Sequence, residues 1–158
     1  MRLLFVCLGN ICRSPTAEGV MNARLIEHDL ADRVEVDSAG TGDWHVGKRA
    51  DRRMRKHASR RGYELESRAR QITVEDFEHF DRVLVMDASN YDDVCRLAPD
   101  SVAVEKVAYL TDYCRQVEAD AVPDPYYGGD EGFERVLDLV EDACEGLIAD
   151  LRETLDER

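Results

Sequence analysis

The sequence predicts an α/β protein, a parallel sheet with helices on both faces and a phosphate-binding loop after the first strand. Three observations carry this. Residues 2–7 are a continuous apolar run of buried-strand length. Strand-like and helix-like segments then alternate along the 158 residues. The last segment carries Phe133, Val136, Leu137, Val140, Cys144, Leu147, Ile148 and Leu151 on one helical stripe.

The elements follow in order. After the first strand comes a loop. Ser14-Pro15 reads as an N-cap followed by Pro at the first helical position, opening a helix to about His28. Residues 33–38 alternate as a second strand, broken by Ala39-Gly40-Thr41-Gly42. Asp51 caps a basic helix that stops near Gly62. Thr73-Val74-Glu75-Asp76 opens a short helix. Residues 82–87 are the third strand, with a helix from Ser89 to Leu97. Residues 102–107 read as the fourth strand, and 108–132 are irregular around Pro123 and Pro125. In such sheets ligands bind beyond the carboxyl ends of the strands, so chemistry is expected near Cys7.

Length and composition bound the rest. One domain, residues 1–158, is expected, burying roughly 70% of its unfolded surface. No apolar run approaches the ~18 residues that cross a bilayer. The start is too short for a signal peptide. A cytoplasmic protein without membrane contact is therefore expected. The net charge of −13 argues against nucleic acid as a partner. The charge is uneven. Residues 48–61 hold eight Lys and Arg against Asp51 alone, whereas residues 118–158 hold fourteen acids against three arginines. The basic stretch reads either as a solvated helix face or as a surface steering acidic phosphopeptides. Only three cations are Lys, which suits a high-salt cytoplasm or an ordinary acidic bacterial protein. Five cysteines, an odd number, favour reduced thiols over a disulfide scaffold. No second Cys/His pair completes a metal site with Cys7 and Cys12.

The segment Cys7-Leu8-Gly9-Asn10-Ile11-Cys12-Arg13-Ser14 lies between a buried strand and a helix start. Five residues between Cys7 and Arg13 can wrap with their N–H groups pointing inward. Gly9 and Asn10 tolerate the positive φ that such a nest needs. The helix N-terminus adds unpaired N–H groups, and Arg13 adds a planar fork for two phosphate oxygens. The result is a cup for a tetrahedral dianion with sulfur at its base. The same field favours the thiolate of Cys7, and the Ser14 hydroxyl can hydrogen-bond it. Cleaving an aryl phosphate also needs an acid for the leaving oxygen. Asp124, between two prolines after the last strand, is the candidate; on spacing alone, Asp-Pro turn chemistry explains it better.

Residues 6–18 resemble the signature of the low-molecular-weight protein tyrosine phosphatases. Residues 37–47, Ala69-Arg70-Gln71-Ile72-Thr73 with 77–85, and Asp124-Pro125-Tyr126-Tyr127-Gly128 resemble the same family in order and spacing. The resemblance implies a four-stranded parallel sheet, no metal, and a cysteinyl-phosphate intermediate. No cofactor is expected. It implies that Cys7 is the nucleophile, Arg13 the phosphate binder, and Asp124 the acid and then the base. Asn10 would hold the loop and Ser14 assist the thiolate. Gly9, Ile11 and Cys12 would complete the cup. Trp44, Tyr126 and Tyr127 would wall the entrance, with Leu8 beneath the ring. A deep aromatic slot suits long phosphotyrosine over short phosphoserine. Some members carry His where Ser67 stands, bracing the loop asparagine. Cys12 would lie close to Cys7, and a protective Cys7–Cys12 disulfide is expected on oxidation.

The expected partners are tyrosine-phosphorylated proteins, among them a bacterial tyrosine kinase. The chain is expected to be a monomer, with exposed tyrosines that can support weak self-association. Cys95, Cys114 and Cys144 read as core or incidental, and His28, His57 and His79 as surface or packing residues. Alternatives on the same fold are arsenate reductase, for which the extra relay cysteines are lacking, and protein-arginine phosphatase, where Thr tends to stand in place of Ile11. A third is a phosphotyrosine-binding module without turnover.

Overall fold

A computed structural model describes residues 1–157; the last position of the expected domain, Arg158, lies outside the described residues. Four strands form one parallel sheet: β1 (Arg2–Cys7), β2 (Glu35–Gly40), β3 (Arg82–Val85) and β4 (Val107–Tyr109), in the order β2-β1-β3-β4. Strand β1 is central because its apolar run can be covered on both faces; all but Arg2 are buried. Its alternate residues feed two cores. Leu3, Phe5 and Cys7 face α1 (Arg13–Glu27) and α6 (Asp130–Asp156). Leu4 and Val6 face Phe77, Phe80, Val94 and Ala103. Those four come from α3 (Asp76–His79) and its C-cap, α4 (Ala88–Leu97) and α5 (Ser101–Glu105). Full burial of each such Leu or Phe stabilises the fold by roughly 1.5–3 kcal/mol.

Several boundaries differ from the sequence expectation. Strand β2 runs through Ala39 and Gly40, which pair with Val6 and Cys7 instead of breaking it, and β3 ends at Val85, two residues short of Asp87. The strand expected at 102–107 is helix α5. Asp100 accepts a hydrogen bond from the Ala103 N–H at 2.8 Å and caps that helix, so Val102 and Val104 are not part of a ladder. The fourth strand is the short edge segment Val107–Tyr109. Helix α1 starts at Arg13, two residues before Pro15, and its N-cap is Cys12 rather than Ser14. Pro15 is then the third helical residue, where a missing N–H still costs no intrahelical bond. This frees the Ser14 hydroxyl from capping.

Helix α2 (Arg52–Arg60) is capped by Asp51, which accepts from the N–H groups of Arg53 and Met54. It is locked to α6 by His57, which is buried as expected of a packing residue. Its Nδ1 lies 2.6 Å from Glu134 Oε2 and its ring stacks on Phe133. Cys144 is in the core, whereas Cys95 and Cys114 are half-buried. All five thiols are free. Among the described residues no helix is long and apolar enough to cross a membrane, and no cluster of side chains could hold a metal ion.

Candidate active site

Cys7 is the last residue of β1 and 2% exposed. The chain then turns through residues 8–12 into α1. The loop carbonyls point outward. Thr41 N–H donates to the Cys7 carbonyl, Gly42 N–H to that of Leu8, and Asp51 N–H to that of Ile11 at 2.7 Å. Among the described residues, the N–H groups of residues 9–12 find no acceptor, so they remain available to an anion. Asn10 takes the φ of 55° that reverses the loop. Gly40, paired with Cys7 across the sheet, is required by close approach: a Cβ there would lie 2.7 Å from the Leu8 carbonyl oxygen.

Asn10 is the loop's internal brace. Its Oδ1 accepts from the Arg70 N–H at 3.0 Å, and its Nδ2 donates to Ser14 Oγ at 2.7 Å and Ser38 Oγ at 3.0 Å. Ser14 Oγ lies 3.0 Å from Cys7 Sγ. Because Asn10 donates to Ser14, the Ser14 proton is left for either the sulfur or the Ala39 carbonyl, which lies 3.4 Å away. Behind them, the Ser38 hydroxyl donates to Glu18. Burial pushes the Glu18 carboxyl up, against the hydrogen bond from Ser38 that pulls it down. Ser67 lines the same small pocket as Glu18.

Arg13, the first residue of α1, is also 2% exposed. Its Nη1 lies 2.6 Å from Asp87 Oδ2 and donates to the Val122 carbonyl at 3.1 Å. Its Nη2 lies 3.8 Å from Asp124 Oδ2. Burial opposes the guanidinium charge, and Cys7, Asp87 and Asp124 outweigh it, so the group is held more basic than usual. Asp124 Oδ1 accepts from the Tyr126 N–H at 3.0 Å, the Asx turn expected of Asp-Pro. The turn leaves Oδ2 facing Arg13.

Above this floor opens a cavity of about 410 Å³. Cys7, Leu8, Gly9, Ile11, Cys12 and Arg13 line its base, and Trp44, His45, Asp124, Tyr126 and Tyr127 its walls. Asn10 and Ser14 sit behind the base and do not line it. Trp44 is folded over Gly42, where a Cβ would meet the indole at 1.9 Å. Tyr126 and Tyr127 meet edge to face at 4.9 Å between ring centroids. Burial pushes the Cys12 thiol far up, so it is held as a neutral thiol beside Cys7.

Four participants escaped the sequence reading: Asp87, His45, Ser38 and Glu18. Glu18, Ser38 and His45 lie within the stretches that resemble the family, without a role attached, and Asp87 carries its own signal as a carboxylate at the end of a strand that neighbours β1.

The model of the low molecular weight phosphotyrosine protein phosphatase family matches residues 2–157. The chain belongs to that family. A low molecular weight protein-tyrosine-phosphatase of Streptomyces coelicolor is 45% identical over 99% of this chain and 97% of its own. A low molecular weight phosphotyrosine protein phosphatase of Homo sapiens is 38% identical over 92% of each. A protein tyrosine phosphatase from Entamoeba histolytica, solved with Hepes in its active site, has a TM-score of 0.95 at 47% identity, covering 98% of each chain. A Drosophila arginine phosphatase shares the fold with a TM-score of 0.87 at 30% identity, over 96% of this chain and 98% of its own. As a low molecular weight phosphatase, the chain is a phosphoric monoester hydrolase.

Proposed function

We propose that this phosphatase hydrolyses phosphotyrosine in proteins through a cysteinyl-phosphate intermediate. The observation that carries the reading is the convergence of Cys7 Sγ, Arg13 and Asp124 on one aromatic-walled cavity. The Cys7 thiolate attacks phosphorus in line, forming an S–P bond as the P–O bond to the tyrosine breaks. The equatorial oxygens are held by the loop N–H groups and by the Arg13 guanidinium. A fixed donor of this kind contributes roughly 3 kcal/mol in the transition state. Asp124 acts as the general acid, giving a proton to the departing phenolate. The carboxylate so formed takes a proton from water, which attacks the thiophosphate and releases inorganic phosphate. The Ser14 hydroxyl, donating to sulfur, stabilises the thiolate as it leaves.

Phosphotyrosine is favoured over phosphoarginine because Ile11 lines the base with a branched apolar side chain. The expected partners are soluble tyrosine-phosphorylated proteins in the cytoplasm, with a bacterial tyrosine kinase the first to test. The test is p-nitrophenyl phosphate hydrolysis against pH, with EDTA present. Cys7→Ser is expected to be inactive and Asp124→Ala slowed about 10²- to 10⁴-fold. A folded wild type that binds phosphate without turnover would overturn the reading.

A further inference from the structure

The chain carries −13 in total, yet one side of the cavity mouth is basic. Residues 45–53 form that side. His45 lines the cavity, Asp51 N–H donates to the loop carbonyl of Ile11, and Arg53 Nη2 donates to the Tyr126 carbonyl at 2.9 Å. Between these anchors Lys48, Arg49 and Arg52 are exposed, and Arg68 lies beside them, donating to the Gly47 carbonyl. Among the described residues none of these four has a carboxylate partner. By contrast, Arg24, Arg61, Arg70 and Arg82 each hold at least one carboxylate.

One contact is unfavourable in its own right. Arg49 and Arg68 stand opposite each other in an isolated antiparallel bridge. Like charges so placed destabilise a pairing, and no acid inside the protein relieves them. An acidic partner would relieve them. It would also lower the repulsion between an acidic enzyme and a dianionic substrate.

We infer that Lys48, Arg49, Arg52 and Arg68 form a recognition rim for acidic side chains flanking the phosphotyrosine of a protein substrate. The inference rests on the phosphotyrosine reading above. An extended chain advances roughly 3.3–3.6 Å per residue, so the rim reads residues within a few positions of the phosphotyrosine. The rim acts in binding and leaves the chemical step to the cup.

The test compares phosphotyrosine peptides with acidic, neutral and basic flanks, in wild type and in the double variant Arg49→Glu/Arg52→Glu. In wild type the acidic peptide is expected to show about tenfold higher kcat/KM than the neutral one, carried by KM and eroded by added salt. In the variant this ratio should fall to one or below, with p-nitrophenyl phosphate turnover unchanged. Should the variant not fold, the salt dependence in wild type decides alone: a preference that salt does not erode overturns the rim. Equal kcat/KM for all flanks in wild type, or a preference that survives in the folded variant, also overturns it. So does wild-type binding to phosphatidylserine vesicles or duplex DNA that the variant loses while peptide preference stays the same. If no phosphotyrosine peptide is hydrolysed while p-nitrophenyl phosphate is, the phosphotyrosine reading fails instead.

Discussion

Asp87 holds Arg13 in place from the far side of the cup, its Oδ2 2.6 Å from Arg13 Nη1. Its other oxygen, Oδ1, accepts from the Asn90 N–H at 2.8 Å and so caps α4. One carboxylate therefore orients the Arg13 guanidinium and starts a helix. The link runs between the ends of β1 and β3, neighbours in the sheet.

Asp87→Asn separates the two roles, because Asn caps as well as Asp but carries no charge for Arg13. Melting temperature is expected to change little. Catalysis should suffer, since Arg13 loses a charge-assisted hydrogen bond of roughly 1.5–3 kcal/mol. About a tenfold or greater loss of kcat/KM on p-nitrophenyl phosphate is expected. Unchanged kinetics would show that Arg13 is oriented without Asp87.

Asn10→Ala removes three hydrogen bonds and places Ala at φ 55°. Each bond contributes about 1 kcal/mol net, and the left-handed backbone costs Ala about 1 kcal/mol more. A urea titration should show a loss of roughly 4 kcal/mol together with much reduced activity. Asn10→Asp keeps the acceptor toward Arg70 and tolerates the backbone. It should recover part of the stability while its negative charge weakens phosphate binding.

Cys12 is held as a neutral thiol by its burial, so peroxide is expected to react first at Cys7. The sulfenic acid formed there can condense with the Cys12 thiol, releasing water and leaving a Cys7–Cys12 disulfide. Cys12→Ser should be inactivated by peroxide like wild type but fail to recover with dithiothreitol. Full recovery of the variant would show that Cys12 does not protect.

Acid stability should depend on the anchoring of α6 and of the segment before it. A hydrogen bond from Arg61 holds the Glu134 carboxyl below its ordinary 4.5, with His57 adding to it. Burial would raise Asp142, but the N–H groups of Val117, Arg115 and Gln116 hold it below its ordinary 3.8. Carboxyls lowered in the folded state stabilise it above their unfolded values, and the contribution is lost as pH falls through the folded ones. Buried Glu18 is shifted the opposite way and offsets part of this. Melting temperature should hold from pH 7 to about 5 and drop below about 4.5. Glu134→Gln should lower the melting temperature at pH 7 and flatten that drop.

Much of this protein is legible locally. The apolar run of β1 is long and unbroken, so its burial on both faces follows from composition alone. The Asp51 cap sits beside the N–H groups it accepts, within three residues. The valines at 102 and 104 misled because a period of two over so short a span does not distinguish a strand from one turn of helix. The nearby cap, Asp100, decided it. Ser14 misled for a related reason: a residue suited to capping stands second in the helix, where its hydroxyl lies 3.0 Å from the Cys7 sulfur instead.

The sequence by itself determined the order of strands and helices apart from α5, the loop between Cys7 and Arg13, and the candidate residues for binding and attacking a phosphate ester. These depend on interactions among near neighbours in the chain. Only the tertiary structure decided that Asp87 orients Arg13 across 74 positions, that Ser38 links the loop asparagine to Glu18, and that Arg49 faces Arg68 beside the mouth. Such pairings come from the crossing of separate elements at the sheet's carboxyl end. No local pattern encodes them, because each residue's partner is set by where another part of the chain packs.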